Sequence, residues 1–430
     1  MALVLGTLLA SPRAACAQGR DSSVVHWELG VASDVTNEFY YEDTFDDTTF
    51  TGTKLTGTPE HRSAFVAALE LARLSGSGRR LWLRQEATLG DKLKRSYTRA
   101  EWQGEPGGGW RAILVPELDM SHDESFGGDR RELRFFPHAR LRHRSLDRSQ
   151  TWDVLVGGDW FRAGGTSDLS ALDRNAGRGW LRWALAPLDA TWDTELGYGA
   201  DVRAFPDSTV RDHVEQHGSL TLRGLLPRAG AVAIDMQLDR RRTIYETPST
   251  RDHFWSGRAD GNAFVPLHER LTAEAWVSVD GYRYDDPDTS VYFDYQLWTA
   301  LPALHWSLAR GWGVRLGPRF ERLWSPLVES ERYMQFSAVI EFERLQAGDW
   351  LSFVPSLGWR DYDRSAATVS LASPDLHSSY LFASADVYTD FGLPALLRLR
   401  LSGSGRYERH EDPSQDASGL YFAVDLRRRF

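Results

Sequence analysis

Cysteine is nearly absent: Cys16 is the one cysteine in 430 residues. It lies close enough to the N-terminus for a cleaved leader to remove it, which would exclude disulfides, thiolate catalysis and Cys-ligated metals from the mature chain. Long apolar runs are missing as well. Beyond the N-terminus no stretch reaches 18 apolar residues, so the sequence offers no membrane-spanning helix. Positive charge is in the minority, 50 Lys and Arg against 60 Asp and Glu, and a general basic surface for nucleic acid is excluded. No His pair has metal-ligand spacing, and neither a Gly-rich phosphate loop nor a nucleophile elbow occurs. The sequence therefore calls for no enzyme activity, no metal and no cofactor.

What the chain does have is apolar and aromatic surface: 42% of residues are hydrophobic, with 17 Trp, 15 Tyr and 20 Phe. Mean hydropathy is nevertheless −0.43, so this surface is finely interleaved with polar residues. The interleaving has period 2. Leu133, Phe135, Pro137, Ala139 and Leu141 alternate with Arg134, Phe136, His138 and Arg140. Leu397, Leu399, Leu401 and Gly403 alternate with Arg398, Arg400, Ser402 and Ser404, and the same pattern returns at 214–223, 232–239 and 334–343. Such segments predict strands with one apolar and one polar face. Pro116, Pro137, Pro266 and Pro355 fall on the apolar set and predict local bulges. Trp82, Trp152, Trp180, Trp192, Trp255, Trp312 and Trp359 recur toward segment ends, where an interfacial girdle would place them.

The two ends add a direction. Residues 2–10 form a short apolar core, and Ala15-Cys16-Ala17 has the small-x-small pattern of a signal-peptidase site, so 1–17 reads as a secretory signal and 18–430 as the mature domain. No Lys or Arg precedes that core, which leaves room for a start further upstream. Cleavage would remove Arg13 and move the net charge from −10 to −11. At the C-terminus, Leu420, Phe422, Val424, Leu426 and Phe430 carry an alternating apolar set that ends in Phe.

That terminal strand resembles the assembly signal of bacterial outer-membrane proteins, with Phe422, Val424, Leu426 and Phe430 at the matching positions and Arg428 departing from the pattern. With the strand rhythm, the whole mature chain resembles porin-like outer-membrane β-barrels. The expected fold is all-β, a single antiparallel transmembrane barrel of about 20 strands. Eighteen is the alternative, because the hairpin at 80–105 is the least regular. Short turns at 76–79, 106–109, 147–150, 188–190, 228–230, 268–270, 310–311, 347–349 and 392–394 would face the periplasm together with both termini. Longer connections at 43–60, 124–129, 165–177, 285–290, 325–331, 364–377 and 410–418 would face outward. The loop at 43–60 would either narrow the lumen or stay exposed.

The polar face would then line the lumen. Arg134, Arg140 and Arg142 share one inward face, and Arg140 and Arg142 with Arg398 and Arg400 would mark a basic level toward the periplasmic end, while Glu117, Asp119, Asp159, Asp201 and Asp280 would make the outer half more acidic. Asp193, Glu195, Asp235 and Asp260 complete the lining set. Such charges either set ion preference or satisfy the wall as interstrand ion pairs. The acidic loops (Asp43, Asp46, Asp285, Asp412 and their neighbours) would be solvated or bridge cations at lipopolysaccharide. The resemblance implies passive or semi-specific diffusion of small hydrophilic solutes. An outlet barrel for polymer export with periplasmic partners, or a structural or adhesive surface barrel, stays open. Partners implied are outer-membrane lipid and lipopolysaccharide, the barrel assembly machinery and small polar solutes, with no nucleic acid.

Overall fold

A computed structural model describes residues 22–46, 49–57, 60–75, 79–124, 129–165, 172–187, 189–244, 253–287, 293–346, 349–363, 377–394 and 396–429. Within them, twenty-three ladder segments pair antiparallel in one sheet. Three pairs of segments are collinear, since both members lie along the same neighbour. Thr49–Gly57 and Glu60–Leu74 run beside Ser22–Asp46. Trp110–Val115 and Glu117–Asp123 run beside Leu93–Gly107, and Arg130–Phe135 and His138–Arg144 beside Gln150–Gly165. The segments thus make twenty strands. The doubtful hairpin is regular: Arg80–Gly90 and Leu93–Gly107 turn through Asp91 and Lys92 alone.

The ring closes where Ala417–Arg429 pairs with Ser22–Asp46, from Tyr40 opposite Ala417 to Glu28 opposite Arg429. Closure matters because lipid offers no hydrogen bonds, and only a sheet without edges satisfies every backbone group. Both described ends of the chain therefore lie at one end of the barrel. The connections at that end are mostly tight, as at Gly108-Gly109, Pro227–Ala229 and Ala309–Gly311. The opposite end carries the longer ones, among them 205–212, 244–253, 285–294 and 363–379.

Two expectations from the sequence need correction. The stretch 43–60 is largely strand: Phe39–Asp46 and Thr49–Gly57 continue as a paired ribbon, and the β-branched Thr44, Thr49, Thr51, Thr53 and Thr56 favour that extended form. Trp82 and Trp180 are also misplaced in a girdle. Both share the face of charged neighbours, Arg84 and Arg178. Trp180 stacks on His217 at 5.7 Å and 11°. It lies over Gly199, where a Cβ would come within 2.6 Å of the indole, so the absent side chain there makes room for the ring.

The prolines interrupt the ladder to different degrees, and one sits on the other face from the one the sequence implies: Pro266, opposite Thr272, is in phase with the lumen-facing Phe264. Pro116 and Pro137 each split a strand, yet their carbonyls still accept from Ala100 N (3.1 Å) and Gly158 N (2.9 Å). Pro266 marks a register shift. Pro355 stays in register with Ala385, and only its other flank interrupts the ladder.

One face of the sheet is an apolar belt that runs straight through the closing seam. Leu89, Phe65, Val31, Leu426, Leu399 and Phe391 stand opposite one another in a single row across six strands. Leu89 is 62% and Val31 57% exposed, as large apolar side chains are when their partner is lipid. Trp152, Trp192, Trp255, Trp312 and Trp359 stand on this outward face near strand ends and are exposed. The barrel thus presents hydrocarbon outward, and its polar face encloses the lumen.

Candidate functional site: a lumen walled by ion pairs

The lumen face is built by the alternate residues of every strand, and its charges come together across neighbouring strands. In Gln150–Gly165, Trp152, Val154 and Trp160 point outward, which turns Asp153 and Asp159 inward between them. Asp153 is only 6% exposed. Its carboxylate accepts from Arg140 Nε at 2.6 and 2.7 Å and from Arg142 Nη2 at 3.1 Å. Asp159, 5% exposed, takes a bidentate pair from Arg134 at 2.8 and 2.9 Å and a further contact from Arg174 at 3.2 Å. Arg398 and Arg400 converge in the same way on Asp390, with Arg400 Nε at 3.2 Å.

The carboxylates singled out in the sequence are held likewise. Glu117 accepts from the Tyr97 hydroxyl at 2.7 Å, and Asp119 accepts from Arg95 Nε at 2.9 Å. Glu195 lies 3.0 Å from Arg182, Asp260 takes Arg258 Nε at 2.6 Å, and Asp235 accepts from Thr221 Oγ1 at 2.6 Å. Asp193 stands opposite Arg223 in the ladder without a close contact. All eleven lining candidates lie on the face opposite the apolar belt. The basic and acidic levels do not form separate zones, because the arginines at each depth sit on aspartates of the adjacent strand. Asp153 and Asp390, which organise Arg140, Arg142, Arg398 and Arg400, were missed. Their signal was available: each alternates with outward apolar or β-branched residues, Asp153 with Trp152 and Val154, Asp390 with Thr389 and Phe391.

Toward the long-loop end, the lumen wall combines arginine with aromatic rings. The Arg360 guanidinium lies 3.9 Å from the Tyr333 ring centre, and Glu321 holds both the Tyr333 hydroxyl (2.7 Å) and Arg360 (3.3 Å). Phe254, Tyr282, Tyr284 and Tyr295 form a second cluster, with centroid separations of 5.3 to 6.2 Å. Outside the strands, Asp285 accepts from Arg240 Nη1 at 2.8 Å, which holds its carboxyl below the ordinary carboxylate range. Asp412 accepts from Ser414 N at 3.0 Å and Asp416 from His410 N at 2.6 Å, so these loop acids shape their own turn.

Of the assembly-signal residues, Phe422, Val424 and Leu426 join the outward belt opposite Val35, Ser33 and Val31. Phe430, like the signal segment 1–17, lies outside the described residues.

A twenty-stranded ring is too wide for the side chains of its strands alone to fill, and a charged lining favours water against it. Among the described residues, no strand or helical turn packs across it.

No family model and no curated protein matches the chain. Solved structures do. The siderophore receptor PirA from Pseudomonas aeruginosa aligns with a TM-score of 0.55 at 10% identity, over 93% of this chain and 80% of that one. The FrpB iron transporter from Neisseria meningitidis gives 0.56 at 7% identity over 94% and 81%, and the copper transporter OprC 0.56 at 9% over 96% and 80%. At these identities the likeness is one of fold. The chain has the fold of bacterial outer-membrane β-barrels.

Proposed function

We propose that this barrel is an outer-membrane channel for passive or semi-specific diffusion of small hydrophilic solutes, with both chain ends on the periplasmic side. The observation that carries the reading is the wide lumen walled by interstrand ion pairs, with no described element packed across it. Such a wall keeps water inside while leaving little uncompensated charge, so polar solutes of either sign would pass with modest preference. The tight connections at the end shared by the termini favour the periplasmic assignment, since outer-membrane barrels keep short turns there. The apolar belt and its tryptophan rim suit lipid, and outward Arg283 beside Trp255 would meet the phosphate groups of lipopolysaccharide. The word transporter in the names of FrpB and OprC describes those proteins and agrees with a transport role here.

The test is single-channel conductance of the refolded chain in a planar bilayer. Steady conductance at neutral pH supports the channel. A folded barrel that stays silent would end the diffusion reading and favour an outlet that needs partners.

A further inference from the structure

A recess in the lumen wall near the short-turn end offers more than paired charge. The strands Phe254–His268, Leu271–Tyr284, Tyr295–Ser307 and Trp312–Trp324 enclose about 680 Å³ there, within the roughly 300–1,000 Å³ of small-molecule sites. The room comes from short side chains: Thr272, Ala303 and Ser307 occupy lumen positions that carry long charged residues elsewhere. Above them stand Phe264, Trp276 and Leu301, all on the lumen-facing set. Phe264 remains 43% exposed. An apolar ring left against water inside a hydrated channel is surface that a solute gains by covering.

The rim of the recess is negative. Glu274 accepts from Arg315 Nε at 2.7 Å and lies 3.1 Å from His305 Nδ1. His305 Nε2 lies 3.0 Å from Glu343, and Arg315 also holds Glu341. Three carboxylates thus face one guanidinium. The excess is two negative charges with His305 neutral and one with it protonated.

We propose that this recess is a subsite for an organic cation bearing a flat apolar ring, the ring lying against Phe264 and Trp276 and the cation directed at Glu274 and Glu343. The ring supplies dispersion and cation–π attraction. The carboxylate excess selects the sign. A neutral ring forgoes the charge, a ring-less amine forgoes the stacking, and an anion is repelled. The inference rests on the channel reading for its physiological sense, but binding itself does not require conduction.

The test is calorimetric titration of the full refolded chain in detergent with phenethylammonium, corrected for the detergent blank. Ethylammonium, phenylethanol and phenylpropanoate serve as comparison probes. Phenethylammonium should bind at least about tenfold more tightly than each. Trp276→Ala and Glu343→Gln should each weaken it about tenfold, and Asp235→Asn, on a strand outside the recess, should leave it unchanged. Glu343→Gln leaves both Arg315 pairs in place, and unheated gel mobility reports whether each variant is folded. Equal binding of the four probes, or phenethylammonium binding unaffected by Trp276→Ala and Glu343→Gln in folded protein, overturns the proposal. A barrel that binds the probe without conducting keeps the subsite and loses the channel; one that conducts without binding does the reverse.

Discussion

Arg427 and Glu28 meet across the closing seam although 399 residues separate them, with Nη1 of the arginine 3.4 Å from Oε1 of the glutamate. The same guanidinium reaches Glu86 at 3.5 Å and Asp425 at 2.8 Å. Arg84 joins the group through Glu28, Glu70 and Glu86 at 3.8, 3.8 and 2.9 Å. Two arginines thereby tie the last strand to the first three.

Replacing Arg427 with Gln should loosen that closure, since each charged partner left unsatisfied costs on the order of 1–3 kcal/mol. The temperature at which the compact gel band disappears should fall by more for Arg427→Gln than for Arg428→Gln, whose side chain lies on the outward face. Equal temperatures would mean that lumen water screens the seam.

The wall pairs make the lumen's ion preference adjustable in both directions. Changing Arg140, Arg142, Arg398 and Arg400 to Gln leaves Asp153 and Asp390 uncompensated, and reversal potentials should move toward cations. Changing Asp153 and Asp390 to Asn frees the arginines and should move them toward anions. Both shifts should be largest at low salt, because screening acts over about 10 Å at 0.1 M. Folded, conducting variants with unchanged potentials would show that these residues do not face the permeation path.

Assembly provides a separate check on the C-terminal strand. Deleting Phe430 should reduce the folded barrel recovered in the membrane far more than replacing Arg428, at matched expression. Matching yields for the two changes would remove the terminal-strand argument.

Two tight turns carry backbone strain of opposite origin. Arg228 and Ala229 adopt φ of +63° and +59° without glycine at either position, whereas hairpin turns of this hand favour Asn-Gly. Ala229→Gly should therefore stabilise the barrel by about 1 kcal/mol. Gly311, at φ +76°, is the converse: a Cβ there would run into the Leu345 carbonyl, and Gly311→Ala should destabilise. Thermal gel-shift series on both variants check the signs.

The alternation that marks Leu133–Leu141 and Leu397–Gly403 was enough to read strands, faces and count, because a closed barrel imposes one period on the whole chain. The pairing of charges was less legible. Arg140 and Arg142 can be placed on the lumen face from their own strand alone, but their partner Asp153 depends on the register between two strands, which the sequence does not state. Trp180 misled for a related reason: its place in a girdle or on the lumen wall turns on parity with Arg178 and on the absent side chain of Gly199 opposite. The recess around Trp276 was invisible, since it needs short residues on two neighbouring strands and a lining drawn from four.

The seam also sets an order in time. Glu28 is synthesised long before Arg427, by roughly 20–80 s at 5–20 residues per second. Throughout that interval the first strand has no partner for its outer edge, and an unpaired edge is a template for aggregation. Delivery of this chain to its membrane would therefore depend on keeping the seam edge of residues 22–46 from foreign strands until the last thirteen described residues, Ala417–Arg429, arrive.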